Sequence, residues 1–244
     1  MIRIDKYLVE MGVASRSQIK DMAKKGRIKV NDTLIKKTDL KIDEDVDRIY
    51  VDGSLIEYKK VEYYMLNKPA GVITATEDKH TKTVLDLITV LSRTDLFPVG
   101  RLDKDTEGLL IITNDGDLAH RLLSPKSHVD KVYYAKIDGI VTSSHIIQFR
   151  EGITLLDGTK VMPGELKILS TDIDKNVSEI ELTIHEGKFH QVKRMFEAIG
   201  TKVTYLKRLS MGPIILDENL KPGDFRILNE LEISKLMKLK NIEQ

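Results

Sequence analysis

Asp103 stands in surroundings that could make a carboxylate act as a nucleophile. It follows the Gly-Arg-Leu sequence of residues 100–102 and precedes the apolar run 109–112, which is typical of a turn leading into a buried strand. A carboxylate that is kept ionised by a nearby cation and shielded from water attacks more readily than one in bulk solvent. Spacing alone leaves a second interpretation open, in which Asp103 is a turn residue ion-paired to Arg101.

Tyr133 and Lys193 are the other residues whose types suit chemistry. By residue type alone, Tyr133 is more typical of a core tyrosine than of a stacking surface, and its neighbour Tyr134 is an equal candidate for a functional role. Lys193 and Arg194 are consecutive on a predicted helix, so their side chains point in different directions. We therefore expect only one of these two cations to face a pocket.

The composition excludes several classes of protein. The chain has 244 residues and no cysteine, which excludes disulfides, thiolate zinc sites and a cysteine nucleophile. His185 and His190 are five residues apart with Gly187 between them, so we predict no metal site. No apolar run has the length of a signal peptide core or a membrane span, and the sequence predicts a soluble, cytoplasmic protein without a membrane partner.

Charge is distributed unevenly although the net charge is only +1. Residues 1–41 contain eleven Lys or Arg against five Asp or Glu, and a second basic cluster covers residues 188–208. Two local basic patches predict a polyanionic partner such as RNA more directly than the net charge does. The alternative is that these are ordinary solvated lysines.

The pattern of the first 59 residues predicts a small domain with two helices and a hairpin. Ile4, Leu8 and Met11 have helical spacing, and the Ser-Arg-Ser-Gln sequence of residues 15–18 has the spacing of a capping box before a second helix that ends at Gly26. Residues 27–30 alternate basic and apolar side chains, as in a strand with one cationic face.

Residues 60–244 predict a second, larger domain. Strands are expected at 63–66, 109–113, 132–140 and 180–185, and helices at 83–91, 117–123 and 191–199. Short strands interspersed with isolated helices, without strict alternation, favour an α+β domain on a mixed, largely antiparallel sheet.

Motifs in both domains resemble known families. The first domain, through Ser15-Arg16 and the Lys-Gly-Arg-Ile-Lys-Val-Asn sequence of 25–31, resembles the alpha-L RNA-binding motif. The second resembles the RNA pseudouridine synthases that modify ribosomal RNA. Its matching segments are Met-Leu-Asn-Lys-Pro-Ala-Gly at 65–71, Gly-Arg-Leu-Asp at 100–103, Lys-Val-Tyr at 131–133 and Glu-Gly-Lys-Phe-His-Gln-Val-Lys-Arg-Met-Phe at 186–196.

The resemblance implies a role for each matching residue. Asp103 corresponds to the catalytic aspartate, Tyr133 to the tyrosine that stacks on the base, and Lys193 to the basic partner of the aspartate. The target uridine must turn out of the RNA stack to reach Asp103. Arg101 is expected to contact the RNA backbone or to fill the space that this flipped nucleotide leaves, and Arg194 is expected to contact RNA. The alpha-L likeness implies phosphate contacts through five side chains: Arg16, Lys20, Lys24, Arg27 and Lys29.

The implied reaction breaks the N1–C1′ bond of a uridine, turns the uracil and rejoins it through C5, so no cofactor is required. Whether the carboxylate attacks the uracil ring or the ribose C1′ stays open. The form of residues 191–196 and the tract 149–155 resemble the small-subunit branch, which implies that the enzyme modifies small-subunit ribosomal RNA. We further expect a monomer that acts within an assembly intermediate. The alternatives are a large-subunit enzyme and a non-catalytic ribosome-assembly factor.

Overall fold

The chain folds into two units that divide its residues unevenly. The computed structural model describes residues 1–58, 60–89 and 93–240. The N-terminal unit consists of Met1–Glu62 together with Thr89–Leu96, and the C-terminal unit of Tyr63–Ile88 and Phe97–Gln244. A single boundary between residues 59 and 60 therefore leaves out the segment 89–96, which packs with the first unit although it lies within the second along the chain.

Two helices form one side of the N-terminal unit, as the apolar spacing predicts. Helix α1 (Ile4–Glu10) ends just before Gly12, which has a positive φ of 67°. Helix α2 (Arg16–Lys24) begins at Ser15, whose side chain accepts a hydrogen bond from the Gln18 backbone while the Gln18 side chain bonds back to Ser15. The predicted capping box is therefore confirmed, and it fixes where α2 starts.

Six short strands complete the N-terminal unit. They are β1 (Ile2–Arg3), β2 (Ile28–Val30), β3 (Thr33–Leu34), β4 (Lys41–Ile42), β5 (Ile49–Val51) and β6 (Ser54–Ile56). Strands β1 and β4 pair with each other, and the remaining four form a sheet in the order β3-β2-β5-β6. The predicted hairpin is β2–β3, and the sequence analysis missed the second hairpin, β5–β6.

The C-terminal unit is built on a nine-stranded sheet. Its strands are β7 (Tyr63–Lys68), β8 (Phe97–Pro98), β9 (Glu107–Thr113), β10 (Lys131–Asp138), β11 (Glu165–Asp172), β12 (Val177–Ile184), β13 (Lys202–Met211), β14 (Ile214–Ile215) and β15 (Phe225–Ile227). Their main order is β11-β12-β10-β13-β9-β7-β15, with β8 beside β9 and β14 beside β13. Among the described residues, β13 and β9 are parallel and the other pairs are antiparallel. The predicted α+β class with a largely antiparallel sheet is confirmed.

The parallel junction between β9 and β13 depends on a glycine. Gly108 lies beside Arg208 in the register of these strands and has a φ of +100°. A Cβ atom added to Gly108 would lie 2.3 Å from the Arg208 carbonyl oxygen. Only glycine allows this approach, which joins the two halves of the sheet directly after the segment that carries Asp103.

Four helices pack on this sheet: α3 (Gly116–Leu123), α4 (Ser143–Glu151), α5 (Gln191–Ala198) and α6 (Glu230–Lys240). The helix predicted at 83–91 is wrong, because the structure has only a 3-10 turn at Leu85–Leu87 and an extended Ile88, while residues 90 and 91 lie outside the described residues. Buried Val84 and Ile88 produced the misleading apolar spacing. Within the described ranges, no helix is long and apolar enough to cross a membrane.

Candidate active site

Asp103, Tyr133 and Lys193 line one open pocket in the C-terminal unit, although three separate segments supply them. Asp103 lies in the loop between β8 and β9, Tyr133 on β10, and Lys193 in the first turn of α5. Arg101 lines the same pocket. Tyr134 is not among the lining residues and packs edge-on against Tyr205. Side chains alternate between the faces of a strand, and this places Tyr133 rather than Tyr134 at the pocket.

The Asp103 loop is fixed by hydrogen bonds on both sides of the carboxylate. Before it, the Leu102 amide donates to Thr74 Oγ1, and the Thr74 hydroxyl donates to the Leu102 carbonyl at 2.8 Å. After it, Lys68 Nζ donates to the carbonyl oxygens of Lys104 at 3.3 Å and Thr106 at 2.9 Å. The loop thus holds Asp103 in one position before any substrate arrives.

Lys68 is not among the predicted catalytic or RNA-binding residues, and it has a structural role beside the Asp103 loop. Its side chain is fully buried at the end of β7, and burial lowers its pKa to about 8. In the sequence, Lys68 follows closely on an apolar strand and precedes a proline, and the structure shows that this whole strand is buried, which is an unusual place for a cation. Its contacts with backbone carbonyls make it a positioning residue for the Asp103 loop.

Lys193 lies between two carboxylates. Its Nζ is 3.1 Å from Asp103 Oδ2 and 2.6 Å from Asp105 Oδ1. Burial lowers the pKa of Lys193, but its hydrogen bonds to Asp105 and Asp103 outweigh burial and raise the pKa above the ordinary value. The hydrogen bond from Lys193 is also the main reason that the pKa of Asp105 is lowered. Lys193 therefore stays cationic and provides a fixed positive charge beside Asp103.

Asp103 pairs with Lys193, as the family resemblance implies, and it also contacts a residue that the sequence analysis did not predict. In the part of the chain that the structure describes, this residue is His190, whose Nε2 lies 3.4 Å from Asp103 Oδ1, a contact that is an ion pair only when the ring is protonated. No ion pair to Arg101 occurs among these residues, so the alternative of an Asp103–Arg101 turn pair is not observed. The Asp103 side chain is 24% exposed, which is more open than the dry pocket expected from sequence and leaves the carboxylate accessible to a substrate.

The start of α5 is held by a buried carboxylate that the sequence analysis did not use. Glu186 Oε1 accepts hydrogen bonds from the Met162 amide at 2.9 Å and from Gln191 Nε2 at 3.1 Å, and its other oxygen pairs with Lys188. Gln191 Oε1 in turn accepts from the Lys188 amide. These contacts fix the turn that precedes Lys193.

Arg194 points away from the pocket, as its position one residue after Lys193 predicts. Its guanidinium pairs with Asp157 and donates to the Phe189 carbonyl at 3.4 Å. Asp157 already occupies part of the hydrogen-bonding capacity of this guanidinium. The expected contact of Arg194 with RNA stays a prediction.

In the N-terminal unit, the predicted cations fall into two groups. Arg16, Lys20 and Lys24 follow one another at helical spacing on α2 and line a groove together with Lys36 and Lys37, which the sequence analysis missed. Arg27 donates to both carboxylate oxygens of Asp52, from Nε and Nη2, and Lys29 is exposed on β2. The groove concentrates exposed cations as a phosphate backbone requires, whereas Arg27 would have to leave Asp52 to contact RNA.

The two histidines have separate acidic partners. His185 Nδ1 lies 2.7 Å from Asp130 Oδ1, whereas His190 pairs with Asp103. Within residues 1–58, 60–89 and 93–240, no three His, Cys, Asp or Glu side chains form a group that could hold a metal ion.

Comparison with known proteins extends the likeness over nearly the whole chain. A family model described as RNA pseudouridylate synthase matches residues 62–198, and an S4 domain model matches residues 2–47. A crystal structure of a pseudouridylate synthase is 35% identical and covers 97% of this chain and 100% of its own, with a TM-score of 0.66.

Three bacterial relatives align over almost their full lengths. An uncharacterized RNA pseudouridine synthase, YtzG, of Bacillus subtilis is 44% identical over 96% of this chain and 98% of its own. Ribosomal large subunit pseudouridine synthase B of the same organism is 41% identical over 98% and 97%. Ribosomal small subunit pseudouridine synthase A of Haemophilus influenzae is 38% identical over 97% and 100%. The chain therefore belongs to the RNA pseudouridylate synthase family and carries an S4 domain at its N-terminus.

Proposed function

We propose that this enzyme converts a uridine of ribosomal RNA to pseudouridine, with Asp103 as the nucleophile. The observation that carries the proposal is the convergence of Asp103, Tyr133 and Lys193 on one pocket from a loop, a strand and a helix. The names of relatives from both ribosomal branches support ribosomal RNA as the substrate. Membership of an enzyme family argues against the non-catalytic assembly factor.

The geometry fits the chemical steps of this isomerisation. The target nucleotide leaves its stack and enters the pocket, where Tyr133 and the apolar side chains of Ile184 and Leu206 offer walls for a planar base. The Asp103 carboxylate attacks either the uracil ring or C1′ as the N1–C1′ bond breaks. After the uracil turns, C5 bonds to C1′ and the bond to Asp103 breaks, which releases the carboxylate. C5 then loses its proton, and the Tyr133 phenol, having passed its own proton on, is our candidate for the base that takes it up.

Lys193 has an electrostatic role in this scheme. Its fixed positive charge, 3.1 Å from Asp103 Oδ2, balances the carboxylate before attack. Asp105 holds the ammonium from the other side at 2.6 Å. Arg101, exposed on the rim, is available to contact a phosphate or to fill the space that the flipped nucleotide leaves.

We assign the target to small-subunit ribosomal RNA. The Gln-Val-Lys-Arg-Met-Phe form of residues 191–196 and the tract 149–155 support this branch. The second candidate is large-subunit ribosomal RNA, which the 41% identity to a large-subunit enzyme favours. We also propose that the protein acts as a monomer on an assembly intermediate of the ribosome. The α2 groove of the S4 domain then contacts the phosphates of the RNA.

Mapping pseudouridines in both ribosomal RNAs tests the assignment. RNA is compared from cells with the protein, without it, and with an Asp103→Asn version in its place. Loss of one pseudouridine from the small-subunit RNA in the last two strains supports the proposal. A lost site in the large-subunit RNA selects the second candidate, and unchanged maps in all three strains contradict both.

A further inference from the structure

An exposed aromatic ring stacks on a residue that lines the pocket and has no role in the proposed chemistry. The side chain of Phe189 is 75% exposed, although an apolar ring of this size is normally buried. One face of the ring stacks on His190, with ring centroids 3.7 Å apart and the planes 19° from parallel. The high exposure leaves much of the ring surface open to solvent.

This ring is held in place by its neighbours on the turn. The Phe189 carbonyl accepts from Arg194, and the preceding Lys188 amide donates to the Gln191 side chain at 2.9 Å. His190 has a left-handed backbone with a φ of 50° and directs its Nε2 to within 3.4 Å of Asp103. Phe189 is therefore presented on a braced turn, one stacked ring away from the candidate nucleophile.

The charges around the turn fit a nucleic acid. Lys188 and Arg101 line the same pocket, and the Arg101 side chain is exposed. An exposed aromatic face beside cations is the combination with which proteins bind single-stranded RNA, since the ring stacks on a base while the cations approach the phosphates.

Building on the proposed function, we propose that Phe189 is a stacking platform for an unpaired base adjacent to the target uridine. The target uridine occupies the pocket beside Asp103 and Tyr133, and the neighbouring base lies on the open face of the Phe189 ring. The Phe189–His190 pair then separates the two bases, which were stacked on each other before the target was flipped.

The experiment measures the Kd of a ribosomal RNA fragment that contains the target. Phe189→Leu keeps an apolar side chain without a flat ring, and we expect binding about tenfold weaker, within the range for one lost base stack. Phe189→Tyr keeps the ring and should bind like the unmodified protein. Ile173→Ala, at an equally exposed position (79%) between β11 and β12, is the matched control and should have no effect.

A second arm identifies the base. Removing the base from one of the two nucleotides next to the target should weaken binding to the unmodified protein as much as Phe189→Leu does. Combining this RNA with Phe189→Leu should weaken binding no further than either change alone. Equal affinities of Phe189→Leu and the unmodified protein would overturn the proposal. Equal losses of affinity in Phe189→Leu and Phe189→Tyr would also overturn it. The same holds if, at each of the two nucleotides next to the target, the loss from removing the base multiplies the loss from Phe189→Leu. Pseudouridine formation by the unmodified protein reports separately on the proposed function.

Discussion

Lys193 Nζ lies 3.1 Å from Asp103 Oδ2, and the same ammonium group is also bound by the neighbouring carboxylate of Asp105. The candidate nucleophile therefore shares its cation with a second, much more exposed acid. This arrangement separates two functions that a single ion pair would combine, because one carboxylate can react while the other keeps the lysine in place. Substitutions of the three residues should consequently give three different results.

Asp103→Asn should abolish pseudouridine formation. The change preserves the size of the side chain but removes the nucleophilic charge, so we expect the single-turnover rate to fall by a factor on the order of a thousand or more, with RNA affinity retained. Asp105→Asn is the matched control, which loses a carboxylate on the same ammonium and should keep most of the activity. A tenth of the normal rate in Asp103→Asn would show that Asp103 is not the nucleophile.

Lys193→Met should slow the reaction at an unchanged RNA affinity. Removing the positive charge beside Asp103 should lower the rate by roughly a hundredfold, the scale of one lost electrostatic contact in an active site. Lys193→Arg should retain more activity, although a fork of donors does not replace a point charge fully. The pKa of Asp105 should rise toward its ordinary value in Lys193→Met, because the hydrogen bond that lowers it is gone. Carboxyl NMR titration measures this change.

Arg194→Met is the control for that result. Arg194 is the next residue on α5 but pairs with Asp157, so its loss should leave the Asp105 titration unchanged and affect RNA binding alone. If Lys193→Met and Arg194→Met weaken RNA binding equally and neither alters the rate of the bound complex, Lys193 belongs to the RNA-binding surface.

The sequence predicted the members of this site better than their contacts. Asp103, Tyr133 and Lys193 each lie in a short local motif, so their types and positions could be identified without a structure. The sharing of Lys193 with Asp105 and the approach of His190 depend on how α5 packs beside the β8–β9 loop. No pattern within a single segment encodes such a contact.

The fold shows the same division between local and distant information. The capping box at Ser15 predicted the start of α2 because its hydrogen bonds join residues three apart. Strand β11 was missed because it is an edge strand in which only Leu166 is buried, so the apolar alternation is weak. The helix predicted at 83–91 is wrong for another reason. Val84 and Ile88 are buried and have the spacing of a helix face, but the backbone at Ile88 is extended.

The groove on α2 should contribute to the salt dependence of RNA binding. Lys20→Ala combined with Lys24→Ala removes two exposed cations. Each lost phosphate contact reduces the magnitude of the negative slope of log K against log salt by about 0.7 to 0.9. We expect the slope to fall by between about 1 and 2. Lys167→Ala combined with Lys175→Ala removes the same charge from β11 and the turn after it, and should leave the slope unchanged. Equal slopes for both double variants would show that the groove does not contact phosphates.

The buried amine of Lys131 should make the stability of the protein depend on pH in the alkaline range. Lys131 is 5% exposed at the start of β10, and burial, followed by the nearby charge of Arg208, lowers its pKa from 10.5 to about 8. Below pH 8 both the folded and the unfolded chain hold this proton, whereas between about pH 8 and 10.5 only the unfolded chain does. Because the unfolded state binds more protons in that window, this group makes the free energy of unfolding rise with pH.

Lys131→Met isolates this contribution. The free energy of unfolding of the variant is subtracted from that of the unmodified protein, so that groups common to both, including buried Lys68, cancel. This difference, unmodified protein minus variant, should increase by about 2 kcal/mol between pH 7 and pH 9.5. Urea unfolding at the two pH values measures it, and Lys167→Met, at an exposed lysine on β11, should show no such shift. A difference for Lys131→Met that is the same at both pH values would mean that Lys131 keeps its proton in the folded protein well above pH 8, with the Val129 carbonyl, 2.9 Å from its Nζ, as the nearest group to stabilise the charge.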